Sequence, residues 1–277
     1  MERPPAGRTV PRMHRILVWT GKGGTGKTTT TANLGPELAR LGYRVLLVGF
    51  DPQCDLETTY GVDDEDRSVV RVEQLLAGGV DPVASIQGID LPGYPGSLSL
   101  LPCSPDLNGA IAGLARRRFT DLDVLLEHFD GVMDVALIDT QGALSAISHT
   151  AARAADSVIF SMEPGTYEYH ALSRRLAEIE DIKRDEGWAI DPLGILFVRC
   201  DSRSRHMREY REHFADADAF GADIAVFDGH IRQQASVREH PRMGKPTVLA
   251  APSSNVAADY RALAEELVAR MTASDAS

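Results

Sequence analysis

The nine-residue stretch Gly21-Lys22-Gly23-Gly24-Thr25-Gly26-Lys27-Thr28-Thr29 is compatible with few folds. It follows the apolar run Ile16-Leu17-Val18-Trp19, which predicts a short buried strand. It precedes Thr30 to Leu41, whose Ala, Leu and Glu content predicts a helix. Strand, glycine loop and helix in that order frame a phosphate-binding loop. Gly23, Gly24 and Gly26 open backbone conformations closed to other residues and turn N–H groups inward, while the helix start adds the positive end of its dipole. In that frame Lys27 reaches the β and γ phosphates of a nucleotide and the Thr28 hydroxyl holds Mg²⁺. The plainer alternative is a glycine turn with no ligand.

Two further strands end in carboxylates. Arg44 to Phe50 is an apolar run that stops at Asp51-Pro52-Gln53, so Asp51 falls where α/β sheets hold ligands, beside the strand that carries the loop. Asp134 to Thr140 places Asp139 at the end of four apolar residues, able to hold Mg²⁺ through water opposite Thr28. Ser97 to Pro102, Ser157 to Met162, Leu193 to Val198, Ile224 to Phe227 and Thr247 to Ala250 read as strands. Val69 to Leu76, Asp121 to Phe129, Tyr167 to Lys183 and Val256 to Met271 read as helices, and Gly88 to Gly96 as a loop. This alternation predicts an α/β fold: one domain with a mostly parallel twisted sheet and helices on both faces. Its expected extent is residues 14–271, with a flexible extension over 1–13 and a disordered tail over 272–277.

Composition narrows the chemistry. Cys54, Cys103 and Cys200 are scattered thiols without CxxC or Cys/His ligand spacing, which suits a reducing cytoplasm and argues against a disulfide framework, a zinc site or an iron–sulfur site. No run approaches the ~18 apolar residues of a membrane span. The formal charge of −11 repels bulk nucleic acid, so contact with DNA requires a local basic patch or a weak patch doubled by dimerisation.

The loop holds a second lysine near its start, Lys22, and two of the chain's four lysines therefore fall within seven residues. Lys-Gly-Gly-Thr-Gly-Lys-Thr resembles the deviant Walker A loop of the ParA/MinD family of dimeric ATPases. That resemblance implies ATP and Mg²⁺ as ligands, with Gly23 to Thr29 around the phosphates, and a homodimer in which Lys22 reaches across to the partner's nucleotide. Asp51-Pro52-Gln53 resembles the family's second motif, Asp-Pro-Gln-Gly-Asn, whose aspartate positions the attacking water; Cys54 and Asp55 stand where Gly and Asn are usual. After Asp139-Thr140 the family has Pro-Pro, whereas this chain has Gln141-Gly142, which implies either a more flexible switch or a direct role for Gln141 near the water. The resemblance also places Pro252 and Ser253 against the adenine. Glu163-Pro164 is either a turn or part of the dimer interface.

In the same family a stretch reading Asp-x-Arg-Thr contributes to non-specific binding of double-stranded DNA. Its match is Arg203, and Arg205, Arg208 and Arg211 follow at three-residue spacing on one helix face. Arg232, Arg238 and Arg242 lie in a second segment resembling a DNA-contacting one. Nine basic and eight acidic residues between Arg199 and Lys245 make this third less acidic than the rest rather than basic. Arg116-Arg117-Arg118 is a solvated loop or a further contact with DNA or a partner. The resemblance implies a ParA-type partition ATPase, cytoplasmic and nucleoid-associated, controlled by a ParB-like or adaptor partner. The rival readings are a MinD-like membrane-positioning ATPase, an electron carrier like nitrogenase reductase, and a DNA-binding switch that hydrolyses poorly. The carboxy-terminal helix lacks the basic, bulky-apolar tail with which MinD proteins hold a membrane.

Overall fold

The computed structural model describes residues 12–20, 24–63, 65–114, 121–143, 145–165, 172–177, 179, 180, 184, 190–201, 210 and 224–274. In chain order the first elements are β1 (His14–Trp19), α1 (Lys27–Arg40), β2 (Arg44–Phe50), α2 (Asp55–Thr59), α3 (Val72–Ala77), α4 (Pro82–Ser85), β3 (Gln87–Ile89) and β4 (Ser97–Leu101). Then follow α5 (Leu107–Leu114), α6 (Asp121–Glu127), β5 (Val135–Thr140), α7 (Ala146–Arg153), β6 (Ser157–Met162) and β7 (Asp191–Phe197). The carboxy-terminal part holds α8 (Ser236–Glu239), a 3₁₀ turn (His240–Met243), α9 (Thr247–Ala250) and α10 (Asn255–Ser274).

The seven strands lie in the order β3-β4-β2-β5-β1-β6-β7. Every pairing is parallel except β3 with β4. The central strands read as unbroken apolar runs because both their faces are covered. On one face Leu17, Val48, Ile138 and Phe160 pack against Val72, Leu107, Leu126, Ile147 and Leu176. On the other, Ile16, Leu47, Leu137 and Ile159 meet Leu34 and Leu38 of α1 and Tyr260, Leu263 and Leu267 of α10. Helices therefore cover both faces, as the alternation of elements predicts.

Register sets up the site. Val18 on β1 and Gly49 on β2 both stand opposite Asp139 on β5, so β1, β2 and β5 end together at one rim of the sheet. The edges are short or interrupted: β3 has three residues, and β7 carries Pro192 and a register shift at Val158/Ile159 of its neighbour.

Several elements differ from expectation. Thr247 to Ala250 forms helix α9, not a strand, because Pro246 starts it and its Val248 N–H donates to Asn33 Oδ1 of α1 at 3.0 Å. Ile224 to Phe227 is reduced to a bridge between Val226 and Ile195. The stretch expected to be loop contains β3, whose Gly88 pairs antiparallel with Ser99. Helices α2, α4, α5, α7 and α8 have no counterpart in the sequence reading. Of the expected helix Tyr167 to Lys183, residues 172–177 and 179–180 are helical.

Candidate functional site

At the rim, Gly24 and Gly26 adopt positive φ angles of 78° and 79°, a conformation that an L side chain strains. Gly26 caps α1, and its carbonyl accepts the Thr30 N–H at 2.7 Å. Ser161 on β6 donates its hydroxyl to the Thr25 carbonyl at 2.8 Å, fastening the turn to the neighbouring strand. Lys27 thus starts α1 and lines the cavity at this rim together with Gly24 and Gly26. Lys22 and Gly23 lie outside the described residues.

Lys27 and Asp139 are buried, at 6% and 1% exposure, and face each other's charge. Burial pushes the Lys27 ammonium below its ordinary value, while Asp139 and Asp51 draw it back up. Burial pushes the Asp139 carboxyl up to about 8, opposed by the Thr28 hydroxyl and by Lys27. Neither Asp139 oxygen completes a hydrogen bond of normal geometry among the described residues. A buried carboxyl so poorly satisfied is costly unless a cation or an ordered water meets it. The donor set fits Mg²⁺: a hydroxyl at Thr28 and a carboxylate at Asp139, hard oxygen ligands with room for water.

Asp51 lies just past β2. Its carboxylate accepts the Gln53 N–H at 3.0 Å and its carbonyl the Cys54 N–H at 2.9 Å, which holds it at the start of a tight turn. Asp51 and Gln141 line one cavity of about 430 Å³ together with Gly24, Lys27, Thr28 and Asp55. Gln141 also donates to the Ser145 hydroxyl at the amino end of α7. The cavity can accept a polyphosphate: backbone donors and an ammonium lie on one side, and carboxylates able to take a cation or orient water on the other.

A second cavity of about 430 Å³ adjoins it past Thr28 and Thr29. One wall is Asn33 of α1, whose Nδ2 donates to the Thr29 carbonyl at 2.7 Å. Another is Arg199, which takes φ 55° after β7 and pairs with Glu163 at 2.7 Å. The third is the segment from Ile231 to Arg242, pinned to the end of β7 by Cys200 N–H to Ile231 O (3.0 Å) and Gln233 N–H to Cys200 O (2.9 Å). Its size and position suit the nucleoside of a bound nucleotide.

Several predicted residues sit elsewhere. Pro252 and Ser253 line neither cavity. Arg232 belongs to the second cavity and is held by Asp259, with Nε to Oδ2 at 2.8 Å and Nη2 to Oδ1 at 2.7 Å. It forms part of the wall of that cavity. Arg242 lines the same wall. Arg203, Arg205, Arg208, the Arg238 side chain and Arg116 to Arg118 lie outside the described residues. Asn33, Gln233 and Arg199 are cavity residues with no local motif to flag them. Arg175, buried in the helical residues 172–177, meets the first cavity only through its lining residue Gly142, to whose carbonyl it donates at 2.5 Å with its guanidinium 4.8 Å above the Trp19 ring.

Comparison with known proteins accords with this geometry. A family model described as "AAA domain" matches residues 13–190. The chain is 34% identical to the chromosome-partitioning ATPase Soj of Thermus thermophilus, with 94% of this chain and 97% of that one covered. It is 29% identical to the chromosome partitioning protein ParA of Caulobacter vibrioides, covering 92% and 94%. Among solved structures it resembles cobyrinic acid a,c-diamide synthase of Mycobacterium smegmatis with bound ATP analogue and magnesium, at a TM-score of 0.76 and 29% identity, covering 94% and 96%.

Proposed function

From the premise that the chain belongs to the Soj/ParA family of P-loop ATPases, we propose that it is a ParA-type partition ATPase that binds ATP with Mg²⁺, dimerises, and moves DNA under a ParB-like or adaptor partner. The observation that carries the reading is the buried Lys27–Asp139 pair beneath the Gly24–Gly26 turn, with Asp51 on the same cavity. The ATP-analogue and magnesium complex of the similar synthase supports the choice of ligands.

In this reading the loop N–H groups and Lys27 hold the β and γ phosphates. Thr28 and Asp139 would hold Mg²⁺, which would neutralise phosphate charge. Asp51, with one oxygen anchored by Gln53 N–H, orients the attacking water with the other. Lys22 acts across a face-to-face homodimer, and Pro252 and Ser253 approach the base only if that loop closes on it. Arg175 ties Gly142, next to the cavity, to Trp19 at the end of β1, so a shift of Gln141-Gly142 is felt by the helix that carries Arg175. Arg203, Arg205, Arg208 and Arg238 supply the weak DNA contacts, doubled in the dimer; Arg232 contributes through the nucleoside wall instead. The domain spans 14–271, and the protein works in the cytoplasm on the nucleoid.

Among the described residues no helix is long and apolar enough to cross a membrane. The apolar side of α10 is spent against the sheet and α1, which disfavours its use as a MinD-like lipid anchor. The test is binding to a random-sequence duplex with ATP, with ADP and without nucleotide, for wild type and Arg203→Ala. We expect binding that requires ATP, falls steeply with salt and weakens in the variant. Absence of binding in every nucleotide state would overturn the nucleoid mechanism.

A further inference from the structure

Two of the three cysteines, 49 positions apart in sequence and without ligand spacing, meet in the fold. Cys54 Sγ, Cys103 Sγ and a Glu57 carboxylate oxygen all lie within 4.8 Å of one another. All three residues are buried, each at 1% exposure or less. Cys54 starts α2 in the left-handed region at φ 55°, Glu57 follows one turn later, and Cys103 sits just past the end of β4.

The surroundings leave these donors weakly used. The Cys54 thiol makes long contacts to the carbonyls of Pro52 at 3.6 Å and Cys103 at 3.8 Å and interacts with the Cys103 thiol. The Cys103 thiol lies 3.2 Å from the Asp51 carbonyl. Glu57 accepts the Cys103 N–H at 2.8 Å through Oε1. Space is kept open for the carboxyl: a Cβ on Gly49 of β2 would stand 1.9 Å from Oε1. Arg71, whose Nη1 donates to the Cys103 carbonyl at 3.0 Å, supplies a positive charge nearby.

A neutral thiol pair beside a protonated glutamic acid is one account of this pocket. It leaves in the core a carboxyl met by the Cys103 and Glu57 backbone N–H groups and the Cys103 thiol, which burial still disfavours in its charged form. A metal accounts for more of the arrangement. Zinc bound at about 2.3 Å to sulfur and about 2.0 Å to oxygen places tetrahedral ligands roughly 3.5–4 Å apart, so these donors need contract by only about 1 Å. Two thiolates and a carboxylate around a divalent ion sum to one negative charge, which Arg71 offsets.

We propose that Cys54, Glu57 and Cys103 form a binding site for a thiophilic divalent metal ion of the Zn²⁺ class, with the fourth position left to water or a neighbouring carbonyl. The reaction is an acid–base exchange without electron transfer: each thiol gives up a proton as its sulfur binds the ion, and the Glu57 carboxyl gives up whatever proton it carries. Occupation joins the turn after β2 to the end of β4.

The test uses the full chain kept reduced with a phosphine, stripped by a chelator, and titrated with Co²⁺ and then Zn²⁺. One equivalent of Co²⁺ should produce thiolate-to-cobalt charge-transfer absorption with tetrahedral visible bands, bleached by one equivalent of Zn²⁺. The signal should vanish in Cys54→Ser and Cys103→Ser, weaken by about tenfold or more in Glu57→Gln, and persist in Cys200→Ser. On wild type alone, Zn²⁺ should release about two or three protons per ion, read with a pH indicator, so the test does not depend on a variant folding. No charge-transfer band in the wild type, a band that survives Cys54→Ser or Cys103→Ser, or binding without proton release would overturn the site.

Discussion

The two halves of the nucleotide cleft are made in different ways. The phosphate half sits on the ends of three adjoining parallel strands, so its key side chains are placed by strand register: Asp139 stands between Val18 and Gly49, and Asp51 follows the last residue of β2. The other half, whose shape suits a nucleoside, has a wall of loop and short helical turns, tied to the end of β7 by Ile231 N–H to Phe197 O (2.9 Å) and to Cys200 by two more backbone bonds, and braced by the Arg232–Asp259 pair. On the first half the charges of Lys27 and Asp139 are buried and set against each other. On the second, Arg232 is already satisfied and about a third exposed. Chemistry concentrates where the sheet fixes geometry, and shape where it does not.

That contrast is sharpest at Lys27. Lys27→Ala should cut ATP turnover by about 10³-fold, because the cation meets charge that grows in the transition state in a site sheltered from water. Phosphate release measured with saturating Mg²⁺ and ATP checks it. A loss below tenfold would mean the phosphate half is not the reacting centre.

Asp139→Asn probes the same half through stability. The Asp139 carboxyl is raised to about 8 in the fold, above an ordinary unfolded carboxylate. Its contribution to stability is therefore fully present below about pH 4 and is lost as pH rises toward 8, because the unfolded chain ionises first. The nucleotide-free variant should show a flatter stability profile between those limits, and should be more stable than wild type near pH 8. Urea unfolding at several pH values checks this, and parallel curves would show that the carboxyl is better satisfied than its geometry indicates.

The smallest effect is expected at Arg232→Ala. The pair with Asp259 is partly exposed and screened, so unfolding free energy should change by less than about 1 kcal/mol, with a rise of a few-fold at most in the KM for ATP. An effect as large as that at Lys27 would erase the distinction between the two halves.

The same difference explains what the sequence discloses. Strands β1, β2, β5 and β6 are legible because a parallel strand covered on both faces must be apolar throughout. The loop glycines are legible because positive φ asks for them. Thr247 to Ala250 is a short apolar run, and periodicity over four residues cannot separate strand from helix; the Asn33 contact, made from more than 200 residues away, decides it. Strand β3 has Gln and Gly in a three-residue edge and gives no pattern. Asn33 and Gln233 reach the cleft through tertiary placement alone. The approach of Cys54 to Cys103 depends on the β2–β4 pairing, which no local spacing encodes.

The edges of the sheet carry a further consequence. An open parallel sheet offers unpaired N–H and C=O groups that can recruit another chain into an indefinite stack. Here a three-residue antiparallel strand closes one side, while Pro192, the shifted register and the Val226 bridge interrupt the other. Runaway strand addition finds no straight template on either flank.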